Sequence, residues 1–97
     1  MERRKTIRIN NLLQYFWREN PELYHKMMEA RVHRLWGELF GPMIAHYTTN
    51  VYVKNRTLYV SMSSSVARDE MLSMRKRLVT VLNKHAGADV IDNVVIR

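Results

Sequence analysis

The stretch "NVYVKNRTLYVSM", residues 50–62, decides the fold of this chain. Apolar and polar residues alternate on both sides of the polar segment "KNRT", and a period of two is typical of a strand with one buried face. Asn55 suits the left-handed backbone of a short turn. The stretch therefore predicts a β-hairpin whose inward set is Val51, Val53, Leu58, Val60 and Met62, and whose outward set is Tyr52, Lys54, Tyr59 and Ser61.

Upstream of the hairpin the apolar spacing becomes helical. One helix is predicted where Leu12, Leu13, Phe16 and Trp17 form a face that should look inward. A second helix is predicted over residues 21 to about 40, with Asn20 as its N-cap and Pro21 at its first position. "GP" at 41–42 ends it, although "MIAHY" could add a turn. Its predicted core stripe is Leu23, Tyr24, Met27, Met28, Val32, Leu35, Trp36, Leu39 and Phe40.

Downstream of the hairpin, a third long helix is predicted from about Val66 to Ala86, with Gly87 as a left-handed cap. Its expected buried stripe is Ala67, Met71, Met74, Leu78, Val81 and Leu82. Val94, Val95 and Ile96 then form a short strand, which a crossover helix would bring into the same sheet. The predicted order is helix, helix, strand, strand, helix, strand.

This order predicts a single α+β domain, a three-stranded sheet with its helices on one face. The opposite face has no helix left to cover it, and Tyr52 and Tyr59 should stand there. Trp17 and Trp36 lie in apolar helical stripes, so both are assigned to the core.

The junction "MSSSVARDEML", residues 62–72, raises the question of a serine nucleophile or a phosphate-binding loop. It has no glycines for a strained elbow or a phosphate cradle, so we interpret it as a strand-to-helix connection. Ser64 or Ser65 is the expected helix cap. Arg68 should then emerge beside a helix N-terminus, where free amides attract anions.

The composition limits the classes of function. The 97 residues include 16 Lys and Arg against 9 Asp and Glu, for a net charge of +7, and no cysteine. This excludes disulfides, thiolate zinc sites and cysteine catalysis. No apolar run approaches the roughly 20 residues of a membrane span, and no secretion signal precedes the helices. We expect a protein of the cytoplasm or nucleoid.

No motif indicates catalysis, a cofactor or a metal. The four histidines do not form the i, i+4 pair of a helical zinc site; they are His25, His33, His46 and His85. Asp89 and Asp92 could be paired carboxylates, yet they flank a turn where aspartate is ordinary. No serine, histidine and carboxylate form a recognised hydrolase motif.

The basic excess favours a polyanionic partner, because neutralising phosphates releases counterions and supplies affinity. Residues 1–6 are predicted to be a basic arm ahead of a domain over 7–97. On the third helix, a rotation of 100° per residue puts Arg68 and Arg75 on one edge, close to Lys76. Tyr52 and Tyr59 either stack on bases or only pair across the sheet. The candidate nucleic-acid-binding residues are Arg3, Arg4, Lys5, Arg8, Tyr52, Lys54, Arg56, Tyr59, Arg68, Arg75 and Lys76.

A series of short motifs recurs in the same order in a known bacterial family. These are "EN" at 19–20, "EARV" at 29–32, "LWGELFGPMIAHYT" at 35–48, "LYV" at 58–60, "SS" at 64–65, "ARDEM" at 67–71, "LN" at 82–83 and Gly87. On these motifs the chain resembles the DciA-like family, and most of all its short members from Bacteroidetes-type bacteria. The resemblance implies a KH-like domain with an extra leading helical portion, which binds DNA and works with the replicative helicase during its loading onto single strands.

The chain departs from the family pattern in two places. Val66 stands where many members have an aromatic residue, and many members carry a flexible extension beyond the last strand, the strand after which this sequence stops at Arg97. The Gly-x-x-Gly loop with which true KH domains clamp backbone nucleotides is also missing. The leading hypothesis is a nonenzymatic DNA-binding accessory of the replicative helicase. The alternative is a protein-interaction adaptor whose basic surface meets an acidic protein patch. Strand preference, competition by RNA and oligomeric state stay open.

Overall fold

The computed structural model describes the backbone of residues 2–97 and the side chains from Asn11 onward. Five helices and three strands follow one another along the described chain. They are α1 (Glu2–Glu19), α2 (Pro21–Leu39), α3 (Gly41–Tyr47), β1 (Thr48–Lys54), β2 (Thr57–Met62), α4 (Ser65–Ser73), α5 (Arg75–Ala86) and β3 (Asn93–Ile96). The predicted α+β class and the broad order of elements are confirmed. The division into an arm at 1–6 and a domain at 7–97 stays a prediction.

The structure contains the β-hairpin that the alternation of apolar and polar residues predicted. β1 pairs with β2 antiparallel, and Tyr52 lies opposite Tyr59. Asn55 and Arg56 at the turn have φ angles of 51° and 59°. Two successive left-handed residues give a hairpin turn whose twist matches that of the strands. The sequence had indicated this conformation for Asn55 alone.

The third strand completes a mixed sheet in the order β1-β2-β3. β3 runs parallel to β2, and Leu58 lies opposite Val94. Two parallel neighbours need a crossover connection, which α4 and α5 provide. The prediction that the last strand joins the same sheet is confirmed.

The predicted single long helix over 66–86 is wrong, because it is broken into α4 and α5 at Met74. The Ser73 hydroxyl donates to the Glu70 carbonyl oxygen at 2.6 Å, and the Met74 N–H donates to the Met71 carbonyl oxygen at 3.2 Å. Both contacts span three residues, so they tighten the last turn and end α4. Met74 leaves the helical region with φ −105° and ψ 12°, and its side chain is partly exposed instead of buried.

The core lies between the helices and the inner face of the sheet. Trp36 is fully buried as predicted, and its indole N–H donates to the Thr48 hydroxyl at 3.0 Å. That hydroxyl donates in turn to the Ile44 carbonyl oxygen at 2.7 Å, which satisfies the polar atoms that the core encloses. The buried set is Met28, Val32, Trp36, Ile44, Leu58, Val60, Met62, Ala67, Met71, Leu78, Leu82, Ala86, Ile91, Val94 and Ile96.

The prediction of an inward-facing apolar face on the first helix is also wrong. Leu12, Leu13 and Phe16, expected to face inward, are exposed by 68, 47 and 45%. Trp17 is half-buried and lies outside the core cluster, with its ring centroid 5.8 Å from that of Tyr24. The reason is that α1 extends beyond the body of the domain, so that within its described part, from Asn11 to Glu19, packing is found at the C-terminal end.

The outline of the molecule shows the same extension. Its principal extents are 52 × 27 × 20 Å and its radius of gyration is 16.0 Å. A compact domain of this length has a radius of gyration of about 12.5 Å. The chain is therefore an α+β body from which one helix projects.

Candidate nucleic-acid interface

The face of the sheet that the helices leave uncovered carries a pair of tyrosines. Tyr52 and Tyr59 stack with ring centroids 4.9 Å apart and ring planes inclined by 13°. They lie directly opposite each other on β1 and β2, so the register of the hairpin creates the pair. The outward position that alternation predicted for both rings is confirmed.

Arg97 completes this pair from the third strand. Its guanidinium carbon lies 5.3 Å from the centroid of the Tyr59 ring, and its Nη2 donates to the Tyr52 hydroxyl at 2.7 Å. The Tyr59 ring thus has Tyr52 as one neighbour and a cation as the other. Tyr52, on edge strand β1, is the more exposed of the two rings.

Sequence reasoning missed Arg97, although a signal for it existed. Val94 and Ile96 are buried, so alternation along β3 turns Asn93, Val95 and Arg97 to the uncovered face. Alternation along the last strand could have placed Arg97 on the uncovered face, but its position beside Tyr59 depends on the pairing of β3 with β2.

We call this surface the open sheet face and define it as Asn50, Tyr52, Lys54, Thr57, Tyr59, Ser61, Asn93, Val95 and Arg97. Among these nine described residues, Lys54 and Arg97 are cations and none is a carboxylate. Two aromatic rings and two positive charges without a compensating acid make a surface that attracts anions with flat groups.

Arg56, another candidate from the sequence, is held in an ion pair at the hairpin turn. Its Nε and Nη2 donate to the two carboxylate oxygens of Asp92 at 3.0 and 2.8 Å, and Nη2 lies 3.6 Å from Asp89. The hydrogen bond from Arg56, with the attraction of its charge, lowers the pKa of Asp92. The same hydrogen bond raises the pKa of Arg56. Asp89 and Asp92 thus fasten the hairpin turn to the start of β3.

Arg68 is a residue of α4 that lies beside the end of β2, and it is half-buried. Its Nη2 donates to the Met62 carbonyl oxygen at 3.2 Å, while its Nε is buried with no hydrogen-bond partner among the described residues. The nearby Ser64 is the N-cap of α4, accepting from the Ala67 N–H at 3.2 Å. Ser64, one of the two predicted caps, is confirmed. The contact of Arg68 with a phosphate stays a prediction, and the structure shows that Arg68 also donates a hydrogen bond to the end of β2.

Arg75 and Lys76 lie together in the exposed first turn of α5. The break at Met74 separates them from Arg68, so a rotation of 100° per residue does not connect the three residues. They border a shallow hollow of about 250 Å³ with Val79, Asp92 and Asn93. Asn93 is in the cross-strand row of Lys54 and Thr57, so the basic start of α5 adjoins the β3 edge of the open sheet face.

The side chains of the remaining candidates, Arg3, Arg4, Lys5 and Arg8, lie outside the described residues. Within residues 2–97, no helix is long and apolar enough to cross a membrane. Among the side chains that the structure describes, no three His, Asp or Glu residues are grouped as ligands for a metal ion.

The fold and the open sheet face define a small α+β domain with a basic, aromatic surface on its uncovered side. The family model described as "Dna[CI] antecedent, DciA" matches residues 8–96. The chain therefore belongs to the DciA family, which takes part in loading the replicative helicase. The family that the motif order indicated is confirmed. No curated protein matches the sequence.

Proposed function

We propose that this chain is a nonenzymatic DNA-binding accessory of replicative helicase loading, and that single-stranded DNA binds across the open sheet face. The observation that carries the proposal is the acid-free set of Tyr52, Tyr59, Lys54 and Arg97 on that face. A helicase loader acts where a single strand is exposed, and a single strand offers both unpaired bases and phosphates.

The tyrosine pair supports the recognition of bases. Tyr59 lies between Tyr52 and the Arg97 guanidinium, so Tyr52 is the ring on which an incoming base would stack. Such stacking contributes about 1–3 kcal/mol per base and needs bases that are not paired in a duplex. We therefore propose that single strands bind more tightly than duplex DNA.

Two groups of cations support the recognition of phosphates. Lys54 and Arg97 lie on the open sheet face itself, and Arg75 and Lys76 adjoin its β3 edge through Asn93. Asp92 lies at this border, but its charge is matched by Arg56. A strand that crosses the face would meet cations at both sides. Arg68, which bonds the end of β2, would extend this path. Contact of Arg3, Arg4, Lys5 and Arg8 with DNA stays a prediction from the sequence.

The test is fluorescence anisotropy with a labelled oligo(dT) and with a duplex of the same length, over a series of salt concentrations. Tyr52→Ala should weaken single-strand binding about tenfold, because one stacking contact is lost. Lys54→Glu and the double change R75E/K76E should weaken binding and flatten the slope of log affinity against log salt, by about one for each phosphate contact removed.

The matched control is Arg34→Glu on α2, an exposed arginine whose partner is Glu38, one turn away on the same helix. It changes the net charge as much as Lys54→Glu does, away from the face. Equal losses for Arg34→Glu and Lys54→Glu would mean that net charge alone drives binding. Unchanged affinity for Tyr52→Ala, Lys54→Glu and R75E/K76E would contradict the open sheet face as the DNA site.

A protein-interaction adaptor is the competing interpretation. Pull-down of the host replicative helicase with and without oligo(dT) separates the two. Helicase binding by a chain that shows no affinity for DNA would support the adaptor and contradict the accessory that we propose.

A further inference from the structure

The projecting helix α1 exposes large apolar side chains in a contiguous arc. Leu12, Leu13, Tyr15 and Phe16 are exposed by 68, 47, 62 and 45%. At 100° per residue they fall within an arc of about 160° on one side of the helix. A patch of this kind on a soluble domain marks a site of interaction.

The helix has little in its own molecule to stabilise it. Among its described side chains, from Asn11 onward, the anchors lie at the C-terminal end, where Trp17 contacts Tyr24 and the Asn20 side-chain amide donates to the Phe16 carbonyl oxygen at 2.9 Å. Helical stability in proteins comes mostly from packing of an apolar face, and the 18 residues of α1 include no alanine, the strongest helix former. The structure therefore calls for an occupant of this arc.

We propose that the occupant is a second copy of this chain, whose α1 packs antiparallel on the first across a two-fold axis near Leu12 and Leu13. This inference does not rest on DNA binding. In this register Leu12 of one copy faces Leu13 of the other, and Phe16 faces position 9, an isoleucine. Leu12, Leu13 and Phe16 thus meet apolar positions, whereas Tyr15, at the edge of the arc, faces position 10, an asparagine. The centre of the interface is therefore self-complementary, as a two-fold axis requires.

The charges along the helix favour the antiparallel arrangement over a parallel one. The sequence from 3 to 8 carries four positive charges, whereas the other end carries Arg18 together with Glu19 and Glu22, for a net charge of −1. Antiparallel pairing brings the basic end of each copy beside the acidic end of its partner. Parallel pairing would place the four positive charges of both copies together, which is unfavourable for like charges.

The size of the interface agrees with a dimer of moderate affinity. The four apolar side chains from two copies would cover on the order of 1,000 Å², which is near the lower bound of specific protein interfaces. Since both bodies lie at opposite ends of the paired helices, the dimer presents two open sheet faces. Two linked sites on one strand raise the apparent affinity without any new contact.

The test is sedimentation equilibrium of the full chain over a series of concentrations. We expect a concentration-dependent mass that rises from 11.6 kDa toward twice that value. The double change L12E/F16E should weaken the dimer by about 100-fold or more, because it places charge at the centre of an apolar interface. The matched control is Met43→Glu on α3, another exposed apolar residue, at 69%, and it should leave the dimer intact.

The antiparallel register has its own test, since the chain has no cysteine. Under oxidising conditions Leu13→Cys should form a disulfide-linked dimer, whereas Glu19→Cys should not, because only a parallel pair brings position 19 beside its copy. Circular dichroism of each variant shows whether the domain remains folded; since Leu12 and Phe16 are exposed, folding should persist.

A monomeric mass at all concentrations would overturn the proposal, and so would a dimer that L12E/F16E leaves unchanged. Preferential cross-linking through Glu19→Cys would overturn the antiparallel register. If the chain is monomeric and L12E/F16E instead abolishes binding to the purified helicase, the arc is a helicase contact and the second copy is excluded.

Discussion

At the scale of single residues, Asn83 organises the connection from α5 to β3. Its Nδ2 donates to Asp89 and to the Ile91 carbonyl oxygen at 3.0 and 2.8 Å. Its Oδ1 accepts from the Val90 and Ile91 N–H groups, each at 3.0 Å. One side chain thus satisfies several polar groups of a connection that adjoins the core. The asparagine of the "LN" motif is explained by this network.

We predict that Asn83→Ala lowers the free energy of unfolding by about 2–4 kcal/mol, because partly buried backbone groups at 90 and 91 lose their partner. Urea denaturation followed by circular dichroism measures the change. Lys84→Ala is the control, since the neighbouring lysine is exposed and should change stability by less than about 0.5 kcal/mol. A loss below about 1 kcal/mol for Asn83→Ala would show that water replaces the amide.

The candidate site residues show which side-chain contacts can be predicted from the sequence. The pairing of Tyr52 with Tyr59 followed from alternation around a short turn, a local pattern. The bond between Arg56 and Asp92 joins positions 36 residues apart, and nothing in the spacing of either residue indicates it. Charge alone therefore cannot separate an arginine held in an ion pair from one available to a ligand.

At the scale of elements, the strand-to-helix junction shows how local chemistry places a boundary. Ser64 has an extended backbone, with φ −112° and ψ 124°, and its hydroxyl accepts from the Ala67 N–H. This is the geometry of a helix cap, whereas Ser65 is already the first residue of α4. The sequence left both serines open, and the structure assigns the cap to Ser64.

Substitution of each serine by alanine tests this assignment. Ser64→Ala should lower the free energy of unfolding by about 1 kcal/mol, because the cap is lost. Ser65→Ala should be neutral within about 0.5 kcal/mol, since Ser65 is an exposed helical position and alanine is a strong helix former. Thermal and urea unfolding of the two variants side by side provide the measurement. Equal effects would contradict a cap at Ser64.

The apolar pattern did not indicate the break between α4 and α5. Ala67, Met71, Leu78 and Leu82 are buried on both sides of it, so their spacing is compatible with one uninterrupted helix. The break depends on a hydroxyl and on a tightened last turn at Ser73 and Met74. Periodicity records which side chains are apolar, and it contains no information on these hydrogen bonds.

At the scale of the whole molecule, the chain consists of a body and the projecting helix α1. The buried core extends from Met28 to Ile96, and none of the α1 side chains that the structure describes, from Asn11 to Glu19, belongs to it. The contact between Trp17 and Tyr24 is the described aromatic link between the two parts. The body therefore has what it needs to fold without the first helix.

We predict that a chain beginning at Asn20 unfolds cooperatively in urea and is less stable than the full chain by about 1–2 kcal/mol, the scale of one lost aromatic contact and its burial. Fluorescence of the buried Trp36 and circular dichroism should report one coincident transition. Non-coincident transitions, or no transition at all, would contradict an independent body. The same truncated chain should remain monomeric if α1 carries the dimer contact.

The sequence by itself determined the features that depend on neighbouring residues. These are the hairpin, most of the helical stripes of the body apart from the exposed Leu23 and Met74, the left-handed cap at Gly87, the uncovered sheet face and the family. Only the tertiary structure decided the exposure of Leu12, Leu13 and Phe16, the ion pair of Arg56 and the position of Arg97 over Tyr59. An apolar face is buried only if something packs on it, and a charge is free only if no distant residue reaches it. Both conditions are properties of the folded arrangement, and a local pattern does not contain them.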